Sequence, residues 1–375
     1  MNIKMAEIQD HGRIKNYMER AASSSLYHDS NWGTVIEKSF GHKYYCLICE
    51  EENGFVRGIL PFVHMKSRFF GNYMVSLPYF NYGGVCADDD IMEGLLIEKS
   101  VEMTNELGAN HMELRQEKRL GNGFPVKTSK VSMRLDLPRA AEDLWKSFSS
   151  KLRSQIRVPQ KAGLTTRIGR LEELESFYHV FSINMRHLGT PVYPKRFFQN
   201  ILEIFPESTW ICSVYSGKTP VASGFLAGGK KMLEIPWASS IRQYNKLSPN
   251  MLLYWTCLSI ACERGYSIFD FGRSTVGEST YRFKEQWGAK PFQLHWHYWL
   301  RQDGEMPDIT PRNPKYKLAV ELWKKLPVTV TRVLGPHIIK NIPLQLFLED
   351  PKSNPPDRCS DPSKGFIVRL LWNGQ

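Results

Sequence analysis

Two stretches of this chain run through the same order of elements: a hairpin of apolar strands, a long helix that stops at a glycine, and a further strand. In the first stretch, strands are predicted over 43–50 and 55–65, joined by Glu51-Glu52-Asn53-Gly54. Asn-Gly between apolar runs is a strong short-range hairpin signal. Pro61 cannot donate to a ladder, so it is expected to confine its strand to an edge or to break it. A helix over 89–107 enters on aspartates and leaves at Gly108, as capping and dipole arguments require. Strands over 111–116 and 131–137 are expected to close this lobe, and a polar helix over 11–22 to precede it. The second stretch has helical periodicity over 141–156, 172–188 and 195–205, then strands over 210–216, 220–227 and 231–239. A helix over 249–264 stops at Gly265, followed by strands over 267–271 and 292–300. The pattern predicts an α+β chain of two tandem lobes, each a mixed, mostly antiparallel sheet flanked by helices. The expected boundaries are 1–139 for the first lobe, 140–301 for the second, and 302–375 for a linker and a basic amphipathic tail. A length of 375 residues suits two cores better than one.

Charge narrows the partners. The chain has 49 Lys and Arg against 38 Asp and Glu, a formal charge of +11. An excess of that size favours anionic ligands, whether phosphates, nucleic acid or an anionic membrane face. Cys46 and Cys49 have the spacing of a metal or redox pair, but they lie on a predicted strand, where residues three apart face opposite ways. No second Cys-x-x-Cys completes a zinc site, and no metal is expected. The seven scattered cysteines read as reduced packing residues. Residues 1–9 contain no apolar run of signal-peptide length, and no run of eighteen apolar residues occurs anywhere. A cytoplasmic protein, with peripheral contact to the inner membrane through its tail, is the expectation.

Two segments concentrate chemistry. Asp270, Arg273, Arg282 and Lys284 crowd the end of a buried aromatic strand, where open sheets of this type put their ligands. Residues 151–170 contain six basic side chains and no acidic one. Charge runs on solvated helix faces usually mix signs, so Arg153 and Arg157, on one helical face, are candidates for an anionic ligand. The plain alternative is a solvated face. Arg273 could equally pair with Asp270 to hold the turn, and Lys284 could be a solvated lysine beside Glu285. Pro159 is expected to end or kink its helix near Val158. Residues 315–340 hold six Lys and Arg and one acid, Glu321, among Trp323 and aliphatics. Such a segment either lies in a membrane interface or packs on the second lobe.

Several of these motifs resemble the FemAB-like branch of the GNAT-fold acyltransferases, and in particular the FemAB-related proteins of exosortase/PEP-CTERM and exopolysaccharide gene sets. The resemblance rests on Asp270-Phe271-Gly272-Arg273-Ser274 with Phe283-Lys284-Glu285-Gln286-Trp287-Gly288, on Lys151-Leu152-Arg153-Ser154-Gln155-Ile156-Arg157, and on Gly189-Thr190-Pro191. In the first lobe it rests on Gly58-Ile59-Leu60-Pro61-Phe62, Lys66-Ser67-Arg68-Phe69-Phe70-Gly71, Ser76-Leu77-Pro78-Tyr79 and Asn81-Tyr82-Gly83-Gly84. The chain departs from GNAT enzymes where a glycine-rich pyrophosphate loop is expected. Arg242-Gln243-Tyr244-Asn245-Lys246-Leu247-Ser248-Pro249-Asn250 stands there instead.

The resemblance implies two tandem GNAT-like lobes and direct transfer of an acyl or aminoacyl group to an amine of a cell-envelope, peptidoglycan or exopolysaccharide precursor. It implies no tightly bound cofactor. The donor would be an acyl-CoA or an aminoacyl-tRNA, and the positive charge suits tRNA phosphates. Lys284 would stabilise the oxyanion or the leaving oxygen, with Phe283 as an apolar wall and Tyr281 beside it. Arg273 would grip a phosphate or carboxylate bidentately. Arg153 and Arg157 would hold an anionic substrate in the same cleft as Arg273, and Asn81 and Tyr82 would line that cleft. Neither His295 nor His297 nor Glu278 has a partner that marks it as a base. The alternative function is a non-catalytic docking subunit of an exopolysaccharide or exosortase-associated system.

Overall fold

A computed structural model describes residues 1–67, 70–302, 304, 306–307 and 314–342. Arg68 and Phe69, Cys359, most of the expected linker and the polar segment near the end of the chain lie outside these residues. The strands form two sheets. The first runs in the order Asn2–Met5, Lys43–Glu50, Val56–Ser67, Gly71–Val75, His111–Gln116, His295–Leu300, Val126–Lys127, with Cys86–Ala87 pairing Val56–Ser67 beside that path. The second runs Lys290–Gln293, Val131–Asp136, Ile268–Ser274, Met232–Ser240, Thr219–Gly229, Thr209–Ser216, Leu164–Gly169.

The repeated order of elements is a repeat of topology. In the first sheet Gly71–Val75 pairs in parallel with His111–Gln116, and helix Asp90–Glu106 crosses between them. In the second, Met232–Ser240 pairs in parallel with Ile268–Ser274 across helix Pro249–Glu263. A parallel pair needs such a crossover, whereas the antiparallel neighbours need only turns. Helix Asp90–Glu106 starts where the Asp89 carboxylate accepts the Met92 N–H at 2.9 Å, and Gly108 follows it with φ +63°.

Several sequence expectations are corrected. The strand Val131–Asp136 does not close the first sheet; it pairs antiparallel with Ile268–Ser274 in the second. The expected single strand over 292–300 is two. Lys290–Gln293 pairs Val131–Asp136 in the second sheet, and His295–Leu300 pairs His111–Gln116 in the first. The two lobes therefore exchange strands. Alternation of apolar side chains specifies a strand but not which sheet it joins, so this exchange left no local trace. Pro61 lies within the long strand Val56–Ser67, opposite Cys46. On its other side the partner changes, Cys86–Ala87 pairing up to Ile59 and Gly71–Val75 starting at Val63. The missing N–H falls in that gap. Pro159 lies inside helix Ser150–Lys161, in its last turns, without ending it. The helix expected over 141–156 divides into Ala141–Ser147 and Ser150–Lys161, the second capped by Ser149. Leu164–Gly169, unassigned from the sequence, forms an edge strand.

Side-chain alternation sorts the second sheet into two faces. Ile211, Phe225 and Trp237 join a core shared with Tyr27, Trp32, Phe80 and Tyr82 of the first lobe and with Phe197 and Phe198 of helix Lys195–Ile204. Trp210, Cys212, Val214, Leu233, Phe269 and Phe271 point the other way, toward helices Pro249–Glu263 and Ser150–Lys161. In the first sheet, Cys46 and Cys49 likewise enter different clusters. Trp237 is the hub of the shared core, with ring centroids 5.1 Å from Phe198 and 5.5 Å from both Phe80 and Phe197.

Among the described residues of the expected tail, two helices form. Helices Pro314–Lys325 and Val328–Ile339 pack on helix Leu174–Leu188. Trp323 donates its indole N–H to the Thr190 carbonyl at 3.2 Å, and Ile339 and Ile342 enter the shared core. Tyr79 and Tyr73 of the first lobe donate to the carbonyls of Lys340 and Asn341. Among the described residues no helix is long and apolar enough to cross a membrane.

Because both lobes and the tail bury side chains in one core, Trp237→Ala is expected to destabilise them together. Large-to-small changes of a buried Trp cost about 3–5 kcal/mol. Urea unfolding followed by far-ultraviolet and aromatic circular dichroism should give one coincident transition at lower denaturant. A second lobe that melts separately would show the shared core does not couple the two.

Candidate active site

The parallel pairing at the centre of the second sheet is short. Only Met232, Leu233 and Glu234 register with Ile268, Phe269 and Asp270. Beyond it Met232–Ser240 stays with Thr219–Gly229, while Ile268–Ser274 follows Val131–Asp136. The strands part at Glu234 and Asp270, and both carboxyls point to the face turned toward the first lobe.

Asp270 is fully buried and well held. One carboxylate oxygen accepts the Ser132 hydroxyl at 2.5 Å and the Gly272 N–H at 2.7 Å; the other meets Arg134 Nε at 3.1 Å. The ladder with Val131–Asp136 is irregular between Asp270 and Arg273. Gly272 sits there with φ +75°, a conformation that a side chain would strain. This bulge turns the carbonyls of Gly272 and Arg273 toward helix Ser279–Glu285, and Lys284 Nζ donates to both, at 3.0 and 2.9 Å. Two of the three ammonium hydrogens are thereby placed, and one direction of the nitrogen remains.

Lys284 is buried, and burial brings its pKa down to about 7; Asp270 works against this shift and the positive charge of Arg273 adds to it. The amine can therefore give or accept a proton near neutrality. Glu234 is displaced the other way, to about 8, by burial first and by the charge of Asp270 second. Its carboxyl accepts three groups from the first lobe: the Tyr27 hydroxyl, the Tyr82 hydroxyl at 3.1 Å and Asn81 Nδ2 at 3.3 Å. The Arg134 guanidinium joins Asp270 to Glu117 and stacks 4.2 Å from the Phe292 ring centroid. Burial opposes its charge, but Asp270 and Glu117 outweigh burial and hold its pKa up.

Arg273 leaves the same bulge toward the first sheet, with its guanidinium 5.4 Å from the Trp296 ring centroid. Arg115 stacks 4.7 Å from that ring and is paired with Glu113 at 2.6 Å. Burial, then the charge of Arg115, lowers the Arg273 pKa to about 10. Trp296 donates its indole N–H to the Asn81 carbonyl at 3.0 Å. Lys284, Arg273, Asn81 and Tyr82 thus belong to one neighbourhood between the lobes.

The remaining sequence candidates lie elsewhere. Arg153 donates to the Lys146 carbonyl at 3.3 Å, and Arg157 stacks 5.4 Å from the Trp145 ring. Their helix buries Leu152 and Ile156 against the face of the second sheet turned away from the first lobe. The expectation of one cleft shared by Arg153, Arg157 and Arg273 is therefore corrected: the apolar stripe dictates the face, and the basic one follows it outward. Phe283 packs on Tyr254 and Trp287, with centroids at 5.1 and 6.3 Å, and Tyr281 joins it on that same far face. His295 and His297 lie on a strand of the first sheet, where His297 Nε2 accepts the Leu120 N–H at 3.2 Å. Glu234, Tyr27, Arg134 and Trp296 were missed. Glu234 did leave a signal, as the single charge within Met232-Leu233-Glu234-Ile235-Pro236-Trp237.

Residues 146–285 match a family model described as an acetyltransferase (GNAT) domain. That span lies in the second lobe, which is thus similar to a GNAT domain. Most of the chain also superposes on solved structures. FemX is matched with a TM-score of 0.63 and 13% identity, over 85% of this chain and 100% of that one. A tandem GNAT protein from the clavulanic acid biosynthesis pathway gives 0.53 and 9%, over 82% and 100%. The C-terminal domain of a putative lysylphosphatidylglycerol synthetase from Agrobacterium fabrum gives 0.52 and 13%, over 79% and 93%. At these identities the likeness is one of fold, and it extends the GNAT architecture to both lobes. Among curated proteins none matches.

The depressed Lys284 pKa has a measurable consequence. Between about pH 7 and the ordinary lysine value of 10.5 the unfolded chain holds the proton and the folded chain does not. Stability contributed by this group therefore rises with pH across that window, by at most about 1.4 kcal/mol per pH unit. Lys284→Met should remove that slope and be relatively more stable at pH 7 than at pH 9. Equal slopes for both proteins in denaturant titrations would show that Lys284 stays charged.

Proposed function

We propose that the protein is an N-acyltransferase that moves an acyl or aminoacyl group to an amine of a cell-envelope or exopolysaccharide precursor. The observation that carries this reading is the placement of Lys284. It reaches from the Phe283-Lys284-x-x-Trp287-Gly288 segment to the end of the central strand, at the point where the sheet of a GNAT domain divides. In the reaction the amine nitrogen attacks the carbonyl carbon of an ester or thioester, an amide bond forms, and the carbon–oxygen or carbon–sulfur bond of the donor breaks. The oxygen of the tetrahedral intermediate is anionic, and the leaving group must gain a proton as the amine loses one. A lysine with two hydrogens fixed on carbonyls can aim the third at that oxygen or at the leaving atom without rearranging. Its pKa near neutrality lets it hand over a proton and recover it.

Aminoacyl-tRNA is the donor we favour. A GNAT site for the pyrophosphate of an acyl-CoA uses free backbone N–H groups before the crossover helix. Here that place is a 3-10 turn, Arg242–Leu247, whose neighbouring amides are engaged: Tyr244 donates to Ile241, Ser248 to Asn245 and Met251 to Ser248. The charge of +11 suits a polyanionic donor. The outward face of Arg153 and Arg157 would then contact the tRNA body rather than the reacting ester.

Melting-temperature shifts with acyl-CoAs, deacylated tRNA and nucleotide-sugar precursors test donor and acceptor, since stabilisation grows with the logarithm of ligand over its dissociation constant. With the pair identified, Lys284→Ala should retain circular dichroism and lose about 100- to 1,000-fold in turnover, the cost of removing one oxyanion donor. Less than a tenfold loss would remove Lys284 from the chemistry. Binding without transfer by the parent protein would instead support a docking subunit.

A further inference from the structure

The tail packs on the second lobe by one face and leaves a second apolar face outside. In helix Val328–Ile339 the buried positions are Thr331, Gly335 and Ile339, four residues apart. Gly335 lies so close to Val192 that an added Cβ would meet its backbone nitrogen at 2.7 Å. Val330, Val333, Leu334 and Ile338 point away from that seam and are exposed, Val333 at 66%. Their spacing puts them on one stripe. In helix Pro314–Lys325, Trp323 is buried while Leu318 and Leu322, one turn apart, are 71% and 57% exposed. Isolated exposed leucines need no explanation, but apolar side chains collected on two consecutive helices do.

Charge says what covers this face. Lys317, Lys325 and Lys340 lie on the same two helices, while Lys324 is paired to Glu321 at 2.9 Å and Arg332 turns to the packed side, where its Nε donates to the Ser182 hydroxyl at 2.8 Å. A second copy docking by the same face would oppose like charges. An anionic bilayer surface offers apolar depth for the leucines and valines and negative headgroups for the lysines. We propose that helices Pro314–Lys325 and Val328–Ile339 form a peripheral docking surface for an anionic lipid membrane, with Leu318, Leu322, Val330, Val333, Leu334 and Ile338 entering the interface. The sequence left a choice between a membrane segment and a packed one; the structure provides a face for each.

The test is sedimentation of the full chain with vesicles of phosphatidylcholine alone or with one third phosphatidylglycerol, at low and high salt. The parent should bind the phosphatidylglycerol vesicles and be released by salt. The triple variant Leu322→Gln, Val333→Gln, Leu334→Gln should partition at least about tenfold less, with circular dichroism and melting unchanged because these side chains are exposed. Ile8→Gln, an exposed isoleucine of the first lobe, should bind like the parent. Three results overturn the proposal: no binding by the parent to anionic vesicles at low salt, equal binding by the triple variant, or a parent dimer that the triple variant converts to monomer. The last assigns the stripes to self-association. None of these readouts depends on whether Lys284 catalyses transfer.

Discussion

The buried carboxylate of Asp270 organises the centre of the molecule. It takes the Ser132 hydroxyl, the Arg134 guanidinium and the Gly272 N–H, and so binds a strand from before residue 139 to one that follows the crossover helix. A charge taken out of water persists only when paired and hydrogen-bonded. Here that satisfaction shapes the backbone, since accepting the Gly272 N–H fixes the bulge. The bulge in turn exposes the two carbonyls that hold Lys284. Without the carboxylate, the strand would have no reason to leave its ladder at that residue, and the lysine would have no seat.

Glu234, register partner of Asp270 across the parallel pair, extends this arrangement into the first lobe. Burial first, and the charge of the adjacent Asp270 second, raise the pKa of Glu234. Tyr27, Asn81 and Tyr82 close on it from the other lobe. The exchanged strands and the aromatic core around Trp237 make that closure a fixed interface. Relative movement of the lobes would have to break buried hydrogen bonds and pull strands from sheets, so the neighbourhood of Lys284 and Arg273 is preorganised.

Much of the fold was legible locally. Helix Asp90–Glu106 between its aspartate cap and Gly108, the hairpin at Asn53-Gly54, and the crossover helix ending before Gly265 are all set by residues within a turn of where they act. Lys284 and Arg273 were singled out by the resemblance, since local residues alone equally allowed a solvated lysine beside Glu285; Lys284 instead meets the carbonyls of Gly272 and Arg273, twelve and eleven residues earlier. Pro159 was expected to end or kink its helix near Val158, yet the helix continues to Lys161. Asn81 and Tyr82 were named as cleft residues without their partner, because Glu234 lies more than 150 residues along the chain.

Sequence alone determined the periodicities, the caps, the count of lobes and the chemical character of the Asp270–Gly288 segment, since each depends on near neighbours and backbone preference. Tertiary structure decided which sheet received Val131–Asp136 and His295–Leu300, which face carried Arg153 and Arg157, and that Glu234 met Asp270. It also decided that the tail would bury Trp323 and Ile339 yet leave Leu318 and Val333 in water. Strand alternation is identical in either sheet and an amphipathic helix is agnostic about its partner. Only burial of distant apolar surface, and the need to satisfy carboxylates enclosed by it, selects one arrangement.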